Sequence, residues 1–206
     1  MPPRFLYFDL GKVLLQFDHH LACRQMAEAA GVDRQLVWKV AFEGPLFVDY
    51  ERGDVSSDEY YQRFCAATGS RPDREALQRA GSDIFWLNAP TAAIVTQLKL
   101  SGQRMGILSN TNEAHWQFID RGHYGILNDR WEQYALSFRL RSMKPEPEIY
   151  RAAAEMARVS PREIFFVDDR PDNVEGALRA GFDAVQYTTA AALAADLHRR
   201  GVRFNF

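Results

Sequence analysis

The chain has 206 residues, a hydrophobic fraction of 47% and a formal net charge of −2. That length suits one sizeable domain or a core plus a smaller insert, and that apolar content excludes a disordered chain. Near-neutral charge without a basic stripe excludes a nucleic-acid groove, and no apolar run is long enough to span a bilayer.

Phe5 to Phe8 (FLYF) is a short apolar run that suits a strand buried on both faces of a parallel sheet, and it stops at Asp9. Gly11 follows, where the backbone must turn or admit a ligand closely. A second apolar patch spans Val13 to Leu15, and helical spacing runs from Leu21 to Ala30 and ends at Gly31. Asp33 caps a helix through Val40 and Phe42 that Gly44-Pro45 closes, and Glu51-Arg52-Gly53-Asp54 reads as a turn. Ser56 or Ser57 caps a helix through Tyr60, Phe64 and Ala67, with Glu59 placed for a capping box. After a break at Gly69 to Pro72, Asp73 opens a helix running toward Trp86. This whole stretch reads as helical, without a convincing strand, and predicts a small helical bundle inserted into a sheet domain. Cys23 and Cys65 lie within it and read as small core residues of a reducing compartment. With the N-terminus running straight into the first strand, the expected location is cytoplasmic.

Beyond the insert, a helix over 90–100 ends at Ser101-Gly102. Arg104 to Leu108 is a strand cut off by Ser109-Asn110-Thr111, and a helix follows over 115–122. Tyr134 to Phe138 is a weaker strand, and Lys144-Pro145 precedes a helix over 147–158. After a turn at Ser160-Pro161, the strand Ile164 to Val167 ends in Asp168-Asp169. A helix from Asn173 to Ala180, a strand from Ala184 to Tyr187 and a helix over 190–199 complete the chain. Strands alternating with helices imply βαβ units, hence an α/β parallel sheet of about five strands. The expected division is a core of residues 1–15 and 89–206 and a helical insert at 16–88.

Three apolar strands end in Asp9, in Ser109-Asn110 and in Asp168-Asp169, and Lys144 follows another. In a parallel sheet those ends share one edge, where open α/β sheets bind ligands. Paired carboxylates make a hard oxygen site for Mg²⁺. A hydroxyl, backbone N–H groups and a lysine make an anion site. Together they describe phosphoryl transfer, in which positioning and charge neutralisation supply most of the catalysis.

Four motifs then carry a resemblance that covers essentially the whole chain: Asp9-Leu10-Gly11-Lys12-Val13, Ser109-Asn110, Lys144-Pro145, and Val167-Asp168-Asp169 with Asp172-Asn173. The chain resembles the haloacid dehalogenase-like hydrolases, in the subfamily whose helical cap follows the first strand. Asp9-Leu10-Gly11 together with Glu51-Arg52-Gly53-Asp54-Val55-Ser56 resembles the branch of bacterial α-D-glucose-1-phosphate phosphatases. The resemblance implies a Rossmann-like core and a Mg²⁺-dependent phosphomonoester hydrolase of a small phosphorylated metabolite, such as a sugar phosphate. It implies Asp9 as nucleophile, forming an aspartyl-phosphate, and as metal ligand. Gly11 would offer its backbone carbonyl to the metal and Asp168 a carboxylate, with Asp169 and Asn173 behind them. Ser109 and the Asn110 backbone would hold phosphoryl oxygens, and Lys144 would neutralise charge on phosphate and on Asp9. The substrate is the expected partner; neither nucleic acid nor membrane is expected, and the oligomeric state is left open, a monomer being compatible.

One departure stands out. The wider family carries a second aspartate, as acid and base, two positions after the nucleophile; here that position is Gly11. General acid–base catalysis is worth about 10²–10⁴-fold, so turnover is expected to be weak unless a good leaving group, water or the cap compensates. Asp18, His19 and His20 read as hinge and capping residues, Lys12 as a solvated loop lysine, and His115 as a helix-surface residue. The aromatic residues Phe42, Phe47, Tyr50, Tyr60, Tyr61 and Trp86 read mostly as cap core, with Tyr50, Glu51 and Arg52 as candidates for leaving-group contacts. Two rival readings stand: a catalytically feeble module that binds a phosphate ligand or a partner, suggested by Gly11, and a 2-haloacid dehalogenase, against which Asp168-Asp169 argues.

Overall fold

The structure, a computed structural model, describes residues 2–121, 124–127 and 131–205. In chain order it begins with β1 (Phe5–Phe8) and β2 (Leu15–Phe17). Five helices follow: α1 (His19–Ala30), α2 (Arg34–Ala41), α3 (Pro45–Arg52), α4 (Ser57–Thr68) and α5 (Arg74–Ser82). Then come β3 (Phe85–Leu87), α6 (Ala89–Leu100), β4 (Met105–Ser109), α7 (Glu113–Asp120), β5 (Gln133–Leu136) and α8 (Ser137–Leu140). The chain finishes with α9 (Pro147–Ala157), β6 (Ile164–Asp168), α10 (Pro171–Arg179), β7 (Asp183–Gln186) and α11 (Ala190–Arg199).

The five strands β5, β4, β1, β6 and β7 form one parallel sheet in that spatial order, the α/β architecture anticipated above. Every residue of β1, β4 and β6 is buried, which is why these strands read as unbroken apolar runs. Alternate side chains feed opposite faces. Leu6 and Phe8 pack with Ile94, Leu98, Leu193 and Leu197, whereas Phe5 and Tyr7 pack with Ile149, Tyr150, Ala153 and Ala177. Phe8 lies opposite Ile107 of β4 and Val167 of β6, so Asp9, Ser109 and Asp168 leave the sheet at one edge. The strand order reverses beside β1, and an open sheet holds its ligand crevice at such a switch point.

The five helices α1–α5 lie between β2 and β3, which pair antiparallel as a narrow ribbon, Phe17 opposite Phe85. The helices enclose an apolar cluster of their own, including Cys23, Met26, Val37, Phe64 and Leu77, and both cysteines are unpaired and buried. Asp18, Asp33, Ser56 and Asp73 cap α1, α2, α4 and α5 through their side chains. At α4 only half of the anticipated box forms: Ser56 accepts from the Glu59 N–H, while the Glu59 carboxylate pairs with Arg63.

Several expectations are corrected. The insert does hold strand, because β2 and β3 flank it; three-residue strands carry too little alternation to be read. Gly44-Pro45 starts a helix rather than ending one, since proline at the first helical position loses no hydrogen bond. Glu51 and Arg52 therefore belong to the last turn of α3, and the turn proper is Gly53 in the left-handed region at φ +83°. Trp86 lies on the ribbon and is 50% exposed instead of filling the insert's core. The strand read to Phe138 breaks at Leu136, where Ser137 opens α8. The helix read over 115–122 spans Glu113–Asp120, and its expected end at Gly122 lies outside the described residues. Among the described residues no helix is long and apolar enough to cross a membrane.

Gly106 in β4 shows how tight the sheet packing is. A Cβ there would lie 2.5 Å from Tyr7 Cε1 and 3.0 Å from the Gln133 carbonyl oxygen. The Tyr7 ring has little room to yield, because its hydroxyl donates to the Ala153 carbonyl at 2.9 Å. Gly106→Ala should cost about 1–3 kcal/mol, as overpacking typically does. Urea unfolding checks this, and an unchanged midpoint would show that the sheet spreads freely at this point.

Candidate active site

Four segments converge on the sheet edge. Asp9 follows β1, Ser109-Asn110 ends β4, Lys144 lies in the loop before α9, and Asp168 ends β6. Lys144 is the centre: its Nζ lies 2.9 Å from Asp9 Oδ1 and 2.5 Å from Asp168 Oδ2, and donates to the Leu108 carbonyl at 3.0 Å. All three side chains are buried. A buried ammonium is tolerated only when paired, and here both partners are carboxylates. Burial alone would lower the Lys144 pKa, but Asp168 and then Asp9 outweigh it and hold the ammonium above its ordinary value. Burial pushes Asp9 up to about 7; Lys144 opposes this and the Asp168 charge adds to it.

The supports are specific. Asp9 Oδ1 also accepts from the Leu10 N–H at 2.7 Å. Asp168 Oδ1 accepts from the Arg170 N–H at 2.9 Å, and Asn173 Nδ2 donates to both Asp168 oxygens, at 3.0 and 3.1 Å. Asn173 in turn offers its carbonyl to the Tyr150 hydroxyl at 2.7 Å. The Asn110 amide is a clamp: its Nδ2 donates to the Lys144 carbonyl at 2.9 Å and its Oδ1 accepts from the Lys144 N–H at 2.8 Å. Only the backbone of Asn110 is left for a ligand. Ser109 Oγ makes one long bond, 3.3 Å to the Asn110 carbonyl, and can turn toward an anion.

Asp9, Asp168 and Asp169 each place a carboxylate oxygen within 4.8 Å of the others. Oxygen donors in such number suit a hard divalent cation. The charge count agrees: three carboxylates face one ammonium, so a cation would complete the balance. The residues present thus fit a metal of the magnesium type.

Asp9, Gly11, Ser109, Asn110, Lys144, Asp169 and Asn173 all line one cavity. The insert contributes Phe17, His19, Phe47 and Glu51 to its walls, and β3 contributes Phe85. Of the three leaving-group candidates at residues 50–52, only Glu51 lines it. Tyr50 is buried in a separate seam, its hydroxyl against Ser57 Oγ at 2.8 Å and the Ala114 N–H at 3.1 Å. Arg52 pairs with Glu146 at 2.6 Å. His115 is no surface residue: it is buried against the insert, with ring nitrogens 3.1 Å from both Asn112 Nδ2 and the Gly81 carbonyl. Lys12 is held too, its Nζ donating to the Phe17 carbonyl at 2.7 Å and lying 4.3 Å from the Phe17 ring centroid. Sequence reasoning gave no hint of the Asn110 clamp, since both partners of each bond are ordinary loop groups.

The sequence pattern of haloacid dehalogenase-like hydrolases matches residues 8–181. A D-ribitol-5-phosphate phosphatase of Bacteroides thetaiotaomicron is 27% identical over 192 residues, covering 88% of this chain and 90% of that protein. The chloroplast flavin mononucleotide hydrolase 1 of Arabidopsis thaliana is also 27% identical, over 76% of this chain, which spans 62% of the plant protein. Among solved structures, a magnesium complex of a Bacteroides thetaiotaomicron enzyme of this family superposes with a TM-score of 0.81 at 25% identity, covering 97% of this chain and all of that one. The L-2-haloacid dehalogenase of Xanthobacter autotrophicus shares the fold at a TM-score of 0.63 and 20% identity, over 98% of this chain and 84% of that one. With the motifs gathered at one sheet edge and the pattern matched over most of its length, the chain is an enzyme that belongs to the haloacid dehalogenase-like hydrolases.

Proposed function

We propose that the chain is a magnesium-dependent phosphomonoesterase that hydrolyses a small sugar or polyol phosphate through an aspartyl-phosphate on Asp9. The observation that carries this is Lys144, gripped between Asp9 and Asp168 in a cavity that Ser109 and Asn110 also line. Asp9 and Asp168, the Gly11 carbonyl and the nearby Asp169 are the groups available to hold the ion. Bound magnesium supplies positive charge against which an anionic ester and an anionic nucleophile can meet. Asp9 attacks phosphorus while the Ser109 hydroxyl and the Asn110 N–H hold the transferring oxygens. Lys144 neutralises charge on both sides of the forming bond, and Asn173 keeps Asp168 in place. The insert at 16–88 acts as a cap that walls the cavity and selects the leaving group.

The relatives point to the substrate class. Ribitol 5-phosphate and flavin mononucleotide share a ribityl chain ending in a primary phosphate. The cavity's aromatic walls, Phe17, Phe47 and Phe85 beside His19, suit such a polyol chain or what it carries. The earlier resemblance to sugar-1-phosphate phosphatases is the runner-up, and a panel separates the two. Dehalogenation would leave the Asp168-Asp169 pair without a role. Unpaired buried cysteines accord with a cytoplasmic location.

Phosphate release from p-nitrophenyl phosphate, ribitol 5-phosphate and glucose 1-phosphate should require Mg²⁺ and cease with EDTA. Asp9→Asn should lower it by about 10³-fold or more. Asp9→Asn turnover at the wild-type rate would sink the mechanism. Saturating Mg²⁺ at 100 times its dissociation constant should stabilise the wild type by about 2.7 kcal/mol. A thermal melt should show this shift vanish in Asp168→Asn. Binding of Mg²⁺ without turnover of any phosphate would favour the binding-module reading instead.

A further inference from the structure

A primary alkoxide is a poor leaving group, so the reaction proposed above needs a proton donor at its departure. Position 11 cannot supply one. A Cβ there would lie 2.8 Å from Phe17 Cε1, so the Phe17 ring fills the space that a side chain at 11 would enter. That ring packs against His19 at 4.8 Å and Phe85 at 6.0 Å between centroids.

Most other titratable groups around the cavity are engaged. Lys144 is shared between two carboxylates, and Lys12 donates to the Phe17 carbonyl. Arg170 and Asp172 hold each other at 2.8 Å. Asp169 belongs to the carboxylate cluster. His115 has both ring nitrogens occupied, and burial pushes it down to about 4. His19 lies among the rings of Phe17, Phe42 and Phe47 without a hydrogen bond among the described residues, and burial, then the Lys12 charge, lowers its hold on a proton.

Glu51 differs. It is half-buried, it faces the cavity from the insert, and its carboxyl carries no hydrogen bond or salt bridge among the described residues. Its position is nonetheless fixed. Ser137 Oγ donates to the Glu51 carbonyl at 2.6 Å and accepts from the Thr111 N–H at 2.9 Å. Two residues on, Gly53 lies so close to Phe138 that a Cβ would meet its carbonyl oxygen at 2.2 Å. Arg52 pairs with Glu146, two residues beyond Lys144, and Asp54 pairs with Arg141 at 2.8 Å. The end of α3 is thus docked on the segment that carries Lys144, and Glu51 lines the same cavity as Asp9 with its carboxyl unengaged among the described residues.

We propose that Glu51 is the acid–base residue of this enzyme, a reading that rests on the phosphatase function above. As Asp9 attacks phosphorus, the ester P–O bond breaks and the Glu51 carboxyl passes its proton to the departing oxygen, releasing the alcohol. Water then attacks the phosphorus of the aspartyl-phosphate and gives a proton to the Glu51 carboxylate. The acyl P–O bond breaks, inorganic phosphate leaves, and both side chains return to their starting states. Burial, reinforced by the Asp9 charge, pushes the Glu51 carboxyl up to about 7, which leaves a proton available at neutral pH.

The test is the leaving-group dependence of Glu51→Gln in rapid-quench kinetics with Mg²⁺. p-Nitrophenolate departs without a proton. Glu51→Gln should therefore give a burst of about one equivalent of p-nitrophenolate at nearly the wild-type rate, followed by a steady state slowed by about 10²–10⁴-fold. With ribitol 5-phosphate the burst itself should be slowed by a similar factor. Equal slowing of both bursts, or of neither, overturns the proposal. Glu51→Ala, which removes the carboxyl without adding an amide, must give the same split if Glu51→Gln lowers the melting temperature. A wild-type protein that releases phosphate from neither ester overturns the phosphatase reading itself, an outcome distinct from unequal variants of an active enzyme.

Discussion

The Lys144 ammonium between Asp9 and Asp168 is the constraint on which the rest of the molecule depends. Taking one such charge out of water costs several kcal/mol, and taking out three is tolerable only with near-ideal geometry. The fold provides that geometry from four directions. Parallel strands set the two carboxylates side by side, the Leu108 carbonyl takes a further ammonium proton, Asn173 steadies Asp168, and the Asn110 amide fixes the lysine backbone. The arrangement still carries more negative than positive charge. That excess is not a flaw of packing; it is what suits the edge to a divalent cation.

The insert meets this edge through aromatic walls and through a set of polar contacts. Its own apolar cluster is separate from the two that cover the faces of the sheet. The docking of α3 draws on the Ser137 hydroxyl at the Glu51 carbonyl, the Tyr50 hydroxyl at the Ala114 N–H, a close backbone approach at Gly53 and pairs such as Arg52–Glu146 and Arg141–Asp54. Partly exposed ion pairs contribute about 0–1 kcal/mol each. A seam of this kind adds alignment more than stability, because its charged groups stay partly solvated.

Much of this was legible in the sequence because the decisive features are local. A buried strand followed by an aspartate or by Ser-Asn needs only adjacent residues, and parallel topology then assembles those ends. Pro45 was legible in principle as a helix start but was read as a stop, because proline next to glycine punctuates both. The β2–β3 ribbon escaped because three residues give no periodicity to detect. The posture of Glu51 was out of reach for a different reason: Ser137, Phe138, Arg141 and Glu146, which dock it, are far along the chain and were not matched to it by any motif. Asn110 illustrates the same limit, since its type announced a turn while its side chain reaches a lysine in another loop.

Phe17 and Gly11 share one volume, and that couples their substitutions. A larger residue at 11 must displace the ring, and a smaller one at 17 opens a hollow beneath the Lys12 ammonium. Each change alone is unfavourable, although the two together would fill the same space. An aspartate at position 11 would therefore need the Phe17 ring to move or a smaller residue at 17. The Phe17 ring, not the backbone, thus sets how much room there is beside position 11.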